Sequence, residues 1–91
     1  MKISYRVHAL TRMFQRQIGT EDVQFALING ETIEDYPDDK PYPSRLILGW
    51  SGHRPIHIVA AYNSSEEEWI VVTVYVPDPA IWSADFRRRL T

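Results

Sequence analysis

Apolar residues follow two rhythms along this chain, and the change between them divides it. Val7, Leu10, Phe14 and Ile18 recur at helical spacing. They predict a first helix from about Tyr5 or Val7 to Gln17, with those side chains as its buried stripe and Gly19 as its end. Thr20 suits the N-cap of a second helix, and Glu21 and Asp22 suit the positive end of its dipole. Val23, Ala26 and Leu27 form its inner face, flanked by Phe25 and Ile28. Asn29-Gly30 is a stop signal, because glycine accepts the left-handed conformation common at helix ends.

Past Gly30 the period becomes two. Thr32–Tyr36, Arg45–Trp50, Pro55–Tyr62 and Trp69–Val76 read as strands, the last being the richest in β-branched residues. Turn chemistry separates them: Pro37 to Pro43, Ser51-Gly52, and the polar run from Asn63 to Glu67. Pro77-Asp78-Pro79 ends the last strand. Ala80 to Leu90 reads as a short terminal helix or turn, with Ser83 as its N-cap and Trp82 and Phe86 docking it onto the domain. Two helices followed by four closely connected strands predict the α+β class: two N-terminal helices packed on one face of a four-stranded antiparallel sheet, in a single domain over 1–91.

The last strand also assigns faces. Ile70, Val72, Val74 and Val76 are the purer apolar set and are expected against the helices. Trp69, Val71, Thr73 and Tyr75 then lie on the open face. His57, which points opposite to Ile56 and Ile58, joins Thr73 and Tyr75 there in one of two registers, since a one-residue slip reverses every side chain.

Composition narrows the class. With 44% hydrophobic residues and three tryptophans, the 91 residues suffice for a small core. A net charge of −2 argues against a bulk electrostatic grip on nucleic acid, but not against a local patch. Arg6, Arg12 and Arg16 cluster early and Arg87, Arg88 and Arg89 late, away from the acids of Glu31 to Asp39 and Glu66 to Glu68. There is no cysteine, which excludes disulfides and thiolate chemistry. No apolar run approaches a membrane span and no signal-peptide core is seen at the N-terminus, so a cytoplasmic address without membrane contact is expected.

The chemistry-bearing residues fall into two sets. His8, Arg12 and Arg16 stand four apart, which stacks a titratable imidazole and two fixed cations on one helix face. Cleaving a phosphodiester needs both functions, proton transfer and charge stabilisation on the phosphoryl oxygens. The same pattern also describes a solvated helix face whose arginines pair with surface acids. The second set is His57, Thr73 and Tyr75 on the sheet, which reads equally as ordinary half-exposed strand residues. His53 and His57 have an H-x-x-x-H spacing, but Gly52 and Pro55 break the helix that metal ligation would need. No glycine-rich phosphate loop occurs, and Ser44 and Ser83 have no evident base. The reading therefore names no metal and no cofactor. Arg87-Arg88-Arg89 reads either as an anion clamp or as a solubilising tail.

His8 to Ile18 fits the pattern H-A-x-x-R-M-x-x-R-x-I, and it is followed in order by Asp35 to Pro43 and by Thr73 to Pro79 with Trp82 and Phe86. Together these motifs resemble a widespread prokaryotic domain-of-unknown-function family, itself distantly similar to RelE-like and BrnT-like toxins of toxin–antitoxin systems. The resemblance implies N-terminal helices on a four-stranded antiparallel sheet and, at second hand, metal-independent RNA cleavage. It implies His8 and Tyr75 as catalytic residues, with Arg12, Arg16 and Thr73 as substrate contacts. His57 joins the substrate contacts on geometry alone. The expected partners are RNA and a small antitoxin-like protein. The acidic composition departs from typical RelE-like toxins and leaves a second reading, a non-enzymatic protein-interaction module. Homodimerisation through a strand edge or an aromatic patch is a third.

Overall fold

Ile3 and Tyr5 alternate with polar neighbours at the start of the chain, and the computed structural model, which describes Met1–Thr91, makes them part of a strand that the sequence reading lacked. The elements run β1 (Lys2–Tyr5), α1 (Val7–Arg16), α2 (Thr20–Asn29), β2 (Glu31–Tyr36), β3 (Ser44–Ser51), β4 (Arg54–Asn63) and β5 (Glu68–Tyr75). The sheet has five strands in the order β1-β5-β4-β3-β2. The class is α+β as expected, but the four-stranded antiparallel sheet is corrected to a mixed one, because β1 lies parallel to β5 with Ile3 beside Trp69 and Tyr5 beside Val71. No helix is long and apolar enough to cross a membrane.

The helices cover one face. The core there joins Ala9, Met13, Ile18, Val23 and Ala26 to Ile47, Ile56, Ile58, Ala60, Val71 and Val74. Burying a side chain such as Ile56 or Ile58 contributes about 1.5–3 kcal/mol. The stripe expected for α1 is corrected. Ala9 and Met13 face the sheet, whereas Val7 and Phe14 are 79% and 86% exposed and Leu10 is also exposed. Both sets have helical spacing. The Arg6 N–H, which bonds the Val71 carbonyl at 3.0 Å, fixes where the helix starts and therefore which set turns inward. The helix ends before Gly19, at Gln17 in the left-handed region (φ 55°). Arg54 at the head of β4 donates to the carbonyls of Arg16 (2.5 Å) and Gln17 (3.0 Å), satisfying acceptors that every helix end leaves open.

In α2 the glycine at the exit acts through space, not through φ. Gly30 is extended (φ −73°), and a Cβ there would meet the Ala26 carbonyl and lie 2.7 Å from Ile47 Cγ2. Gly49 of β3 does the same job beneath the helix, since a Cβ on it would strike the Ala26 methyl and sit 3.3 Å from Ala26 Cα. This bare patch lets α2 settle onto β3.

Register on β5 carries the main correction. Val59 faces Thr73 but Ala60 faces Val71, so Val72 is an extra residue. Such a bulge shifts the alternation by one. Trp69 and Val71 therefore join Val74 and Val76 on the helix side. Ile70 passes to the open face, where Thr73 and Tyr75 lie as expected. On β3, Ile47 and Gly49 meet the helix layer while Leu46 and Leu48 are buried on the opposite face.

The C-terminal segment, of the two forms expected for it, is a series of turns and not a helix, and it is not a free basic tail. It crosses the open face from β5 to β2. Trp82 packs edge-on against His57 at 4.5 Å and Phe86 against Trp50 at 6.1 Å. The Arg87 guanidinium binds Glu31 on β2 (2.8–3.0 Å) and holds that carboxyl below the usual range. Arg89 lies over the Trp82 ring at 5.2 Å. Ser83 caps a turn, accepting from the Arg88 N–H at 3.2 Å.

His57 is the post to which this strap is tied. It faces Tyr75 in register and is wholly buried. Its Nε2 bonds the Phe86 carbonyl at 2.9 Å, and because a carbonyl only accepts, Nε2 carries the proton. Nδ1 then accepts from the Tyr75 hydroxyl at 3.1 Å. Burial pushes the pKa of His57 below its ordinary value, with Arg89 adding to the effect, so the ring is held neutral.

Two outcomes follow. Gly49→Ala should lower stability by about 1–3 kcal/mol through overpacking against Ala26, read as a lower urea midpoint with an unchanged slope; an unchanged midpoint contradicts the close packing. For His57, the unfolded chain takes up a proton near pH 6.5 while the folded protein resists it to lower pH. Unfolded molecules thus bind more protons in that window, and stability falls on acidification below about pH 6.5. The melting temperature of the wild type should drop more steeply between pH 7.5 and 5 than that of His57→Gln. Parallel curves contradict the clamp.

Candidate functional site

At the edge of the sheet β1 stops at Tyr5, and the chain turns directly into α1. The first turn of α1 therefore sits beside the bulge of β5, and His8 reaches round the edge onto the open face. There its Nε2 meets Thr73 Oγ1 at 2.9 Å. The bulge makes this contact available, because it sets Thr73 on the open face while Val71 and Val74 remain with the helices.

The strap covers only one end of the open face. Toward the other end lies a cavity of about 450 Å³. Its floor is apolar and built of modest side chains, Val59, Ala61, Ile70 and Val72. Arg6 and His8 stand on the β5 side, and the loop between β2 and β3 closes the far side with Asp39, Lys40 and Tyr42 above Ser44. This loop is braced. Asn63 donates to the Tyr42 hydroxyl at 3.0 Å, and Ser44 donates to Asp39 Oδ2 at 2.5 Å.

The predicted residues divide between this cavity and its surroundings. His8 lines the cavity and is held by Thr73, which does not itself line it. Arg12 and Arg16 continue the stripe along α1, exposed and without ion pairs, but they do not line the cavity. Tyr75 shares the face with Thr73, two residues on, and its hydroxyl is committed to His57. Burial raises the pKa of that hydroxyl. His57 itself is sealed beneath the strap, with both ring nitrogens bonded inside the fold.

The sequence reading missed Arg6, Lys40 and the Asp39–Ser44 pair. Arg6 lies one residue before α1, outside the four-residue stripe, and Asp39 and Lys40 belong to the Asp35–Pro43 motif, whose residues are also turn formers. Ser44 has no evident base in the sequence, and in the fold its hydroxyl donates to a carboxylate five residues earlier. Tyr36 was also overlooked; it lies across from Ser44 and donates to Glu34 at 2.6 Å, which with burial pushes its pKa up to about 12.

The site combines an acid–base group, nearby cations, a fixed carboxylate and an apolar floor large enough for a flat organic ring. No curated protein and no solved structure matches the chain. The motifs that carried the resemblance lie mostly within residues 5–76, and over those residues the sequence matches the family described as Domain of unknown function (DUF4258), to which this chain belongs.

Proposed function

We propose that this chain is a small endoribonuclease of the toxin type, acting without a metal, in keeping with the likeness to RelE-like and BrnT-like toxins suggested by its motifs. The observation that carries the reading is His8 anchored to Thr73 at 2.9 Å on the rim of a cavity bearing Arg6 and Lys40. In the tautomer that donates Nε2–H to Thr73, Nδ1 keeps its lone pair and serves as the base. It removes the proton from an RNA 2′-hydroxyl as that oxygen bonds to the adjacent phosphorus. The P–O5′ bond breaks, and the imidazolium returns the same proton to the leaving 5′-oxygen. The products are a 2′,3′-cyclic phosphate and a 5′-hydroxyl end. Arg6 offsets charge on the phosphoryl oxygens, and Arg12 and Arg16 hold the flanking backbone. Tyr75 and His57 act by keeping the strap and the sheet face in place.

One observation favours the second reading, a protein-interaction module. Val7 and Phe14 on α1, with Phe25 and Ile28 on α2, are large, apolar and more than 60% exposed. A small antitoxin-like protein or a second copy of the chain would then be the partner.

RNA cleavage in EDTA separates the two. His8→Ala should reduce the rate about 10²–10⁴-fold, while Arg12→Ala and Arg16→Ala raise KM more than they lower kcat. Equal rates for wild type and His8→Ala, or no cleavage of several RNAs by either, would sink the enzyme reading and leave the module.

A further inference from the structure

We propose that the open-face cavity is a nucleotide site selective for guanine. The inference builds on reading this cavity as the RNA site, but it does not depend on catalysis by His8. Its β5 end carries only cations, whereas its loop end carries the one carboxylate, Asp39, beside Lys40. Arg6 and His8 stand on the β5 side, and Asp39 stands on the β3 side. Between them, Ser44, Ala61 and Ile70 are aligned across three strands, a width of about 10 Å at two strand spacings. That is the reach of one nucleotide laid across the strands, with its phosphate at the cations and its base edge at the carboxylate. Ala61 is the smallest side chain of the floor and lies at the middle of this row, which leaves room for a flat ring.

The carboxylate decides which base. Ser44 holds Asp39 Oδ2 at 2.5 Å, and Oδ1 makes no side-chain hydrogen bond within the protein. A carboxylate so fixed only accepts. Guanine alone among the four RNA bases presents two adjacent donors, N1–H and N2–H, on its Watson–Crick edge. Adenine, cytosine and uracil each place an acceptor beside their donor there and would set a lone pair against Asp39.

Isothermal titration of the full chain with 3′-GMP, 3′-AMP, 3′-CMP, 3′-UMP and inorganic phosphate tests this. The guanine nucleotide should bind at least tenfold more tightly than the other three. Asp39→Asn keeps an acceptor for Ser44 and should bring all four within about twofold. Arg6→Ala should weaken all four alike by about tenfold and spare the preference. Circular dichroism melts establish that the variants are folded. Equal binding of the four nucleotides, binding no tighter than inorganic phosphate, or a guanine preference that survives Asp39→Asn overturns the proposal. Guanine selectivity in a protein whose RNA cleavage is indifferent to His8→Ala would remove the catalytic reading alone.

Discussion

The extra residue at Val72 is the constraint on which the rest of the architecture depends. A strand of strict alternation can give each face only every second side chain. By inserting one residue, β5 supplies Val71 and Val74 to the helix layer while turning Thr73 and Tyr75 toward the other side. Without that shift, either the core gives up Trp69 and Val71 to the open face or the polar pair enters the core in place of Val74 and Val76, and burying an unpaired hydroxyl is costly. The same insertion brings Thr73 level with the first turn of α1, where β1 has already ended. The core and the site are therefore two results of one backbone irregularity.

A five-stranded sheet with helices on a single side has a second face to account for. Here it is shared out. At one end the strap brings Trp82 and Phe86 onto the sheet and ties itself down at His57 and Glu31. At the other end only the loop between β2 and β3 leans over, and the apolar floor stays open. The division explains why His57 and His8, though both on this face, behave so differently. His57 is dry, neutral and used up inside the fold. His8 lies at the rim, in contact with solvent and with one ring nitrogen not engaged by the protein.

Much of the fold was legible because it rests on local signals. The period change after Gly30, the Pro- and Asp-rich turns and the β-branched run from Ile70 to Val76 place both helices and four of the strands to within a residue or two. What escaped is non-local. β1 is four residues long and its partner is the last strand, so nothing near Ile3 marks it. The inward face of α1 is ambiguous in sequence because Val7, Leu10 and Phe14 match the helical period as well as Ala9 and Met13 do, and only docking chooses between them. The bulge leaves no mark in a run of apolar residues. For the site, the four-residue stripe led to His8, and Thr73 followed from strand alternation. Arg6, Lys40 and Asp39 sit in positions that also make good caps and turns, and only the closing of the loop over the sheet reveals them.

The pairing of β1 with β5 has a bearing on how the protein matures. Contacts between residues so far apart in the chain are slow to form, because the loop must close before they are rewarded. The first strand has its only partner in the last, so during synthesis the N-terminal residues wait until Val71 has emerged. Thr73 comes later still, and the strap that covers His57 last of all. The site residues on α1 are thus made well before the sheet surface that completes them. A chain interrupted anywhere before β5 would carry the whole His8, Arg12 and Arg16 stripe without the surface that gives it a use.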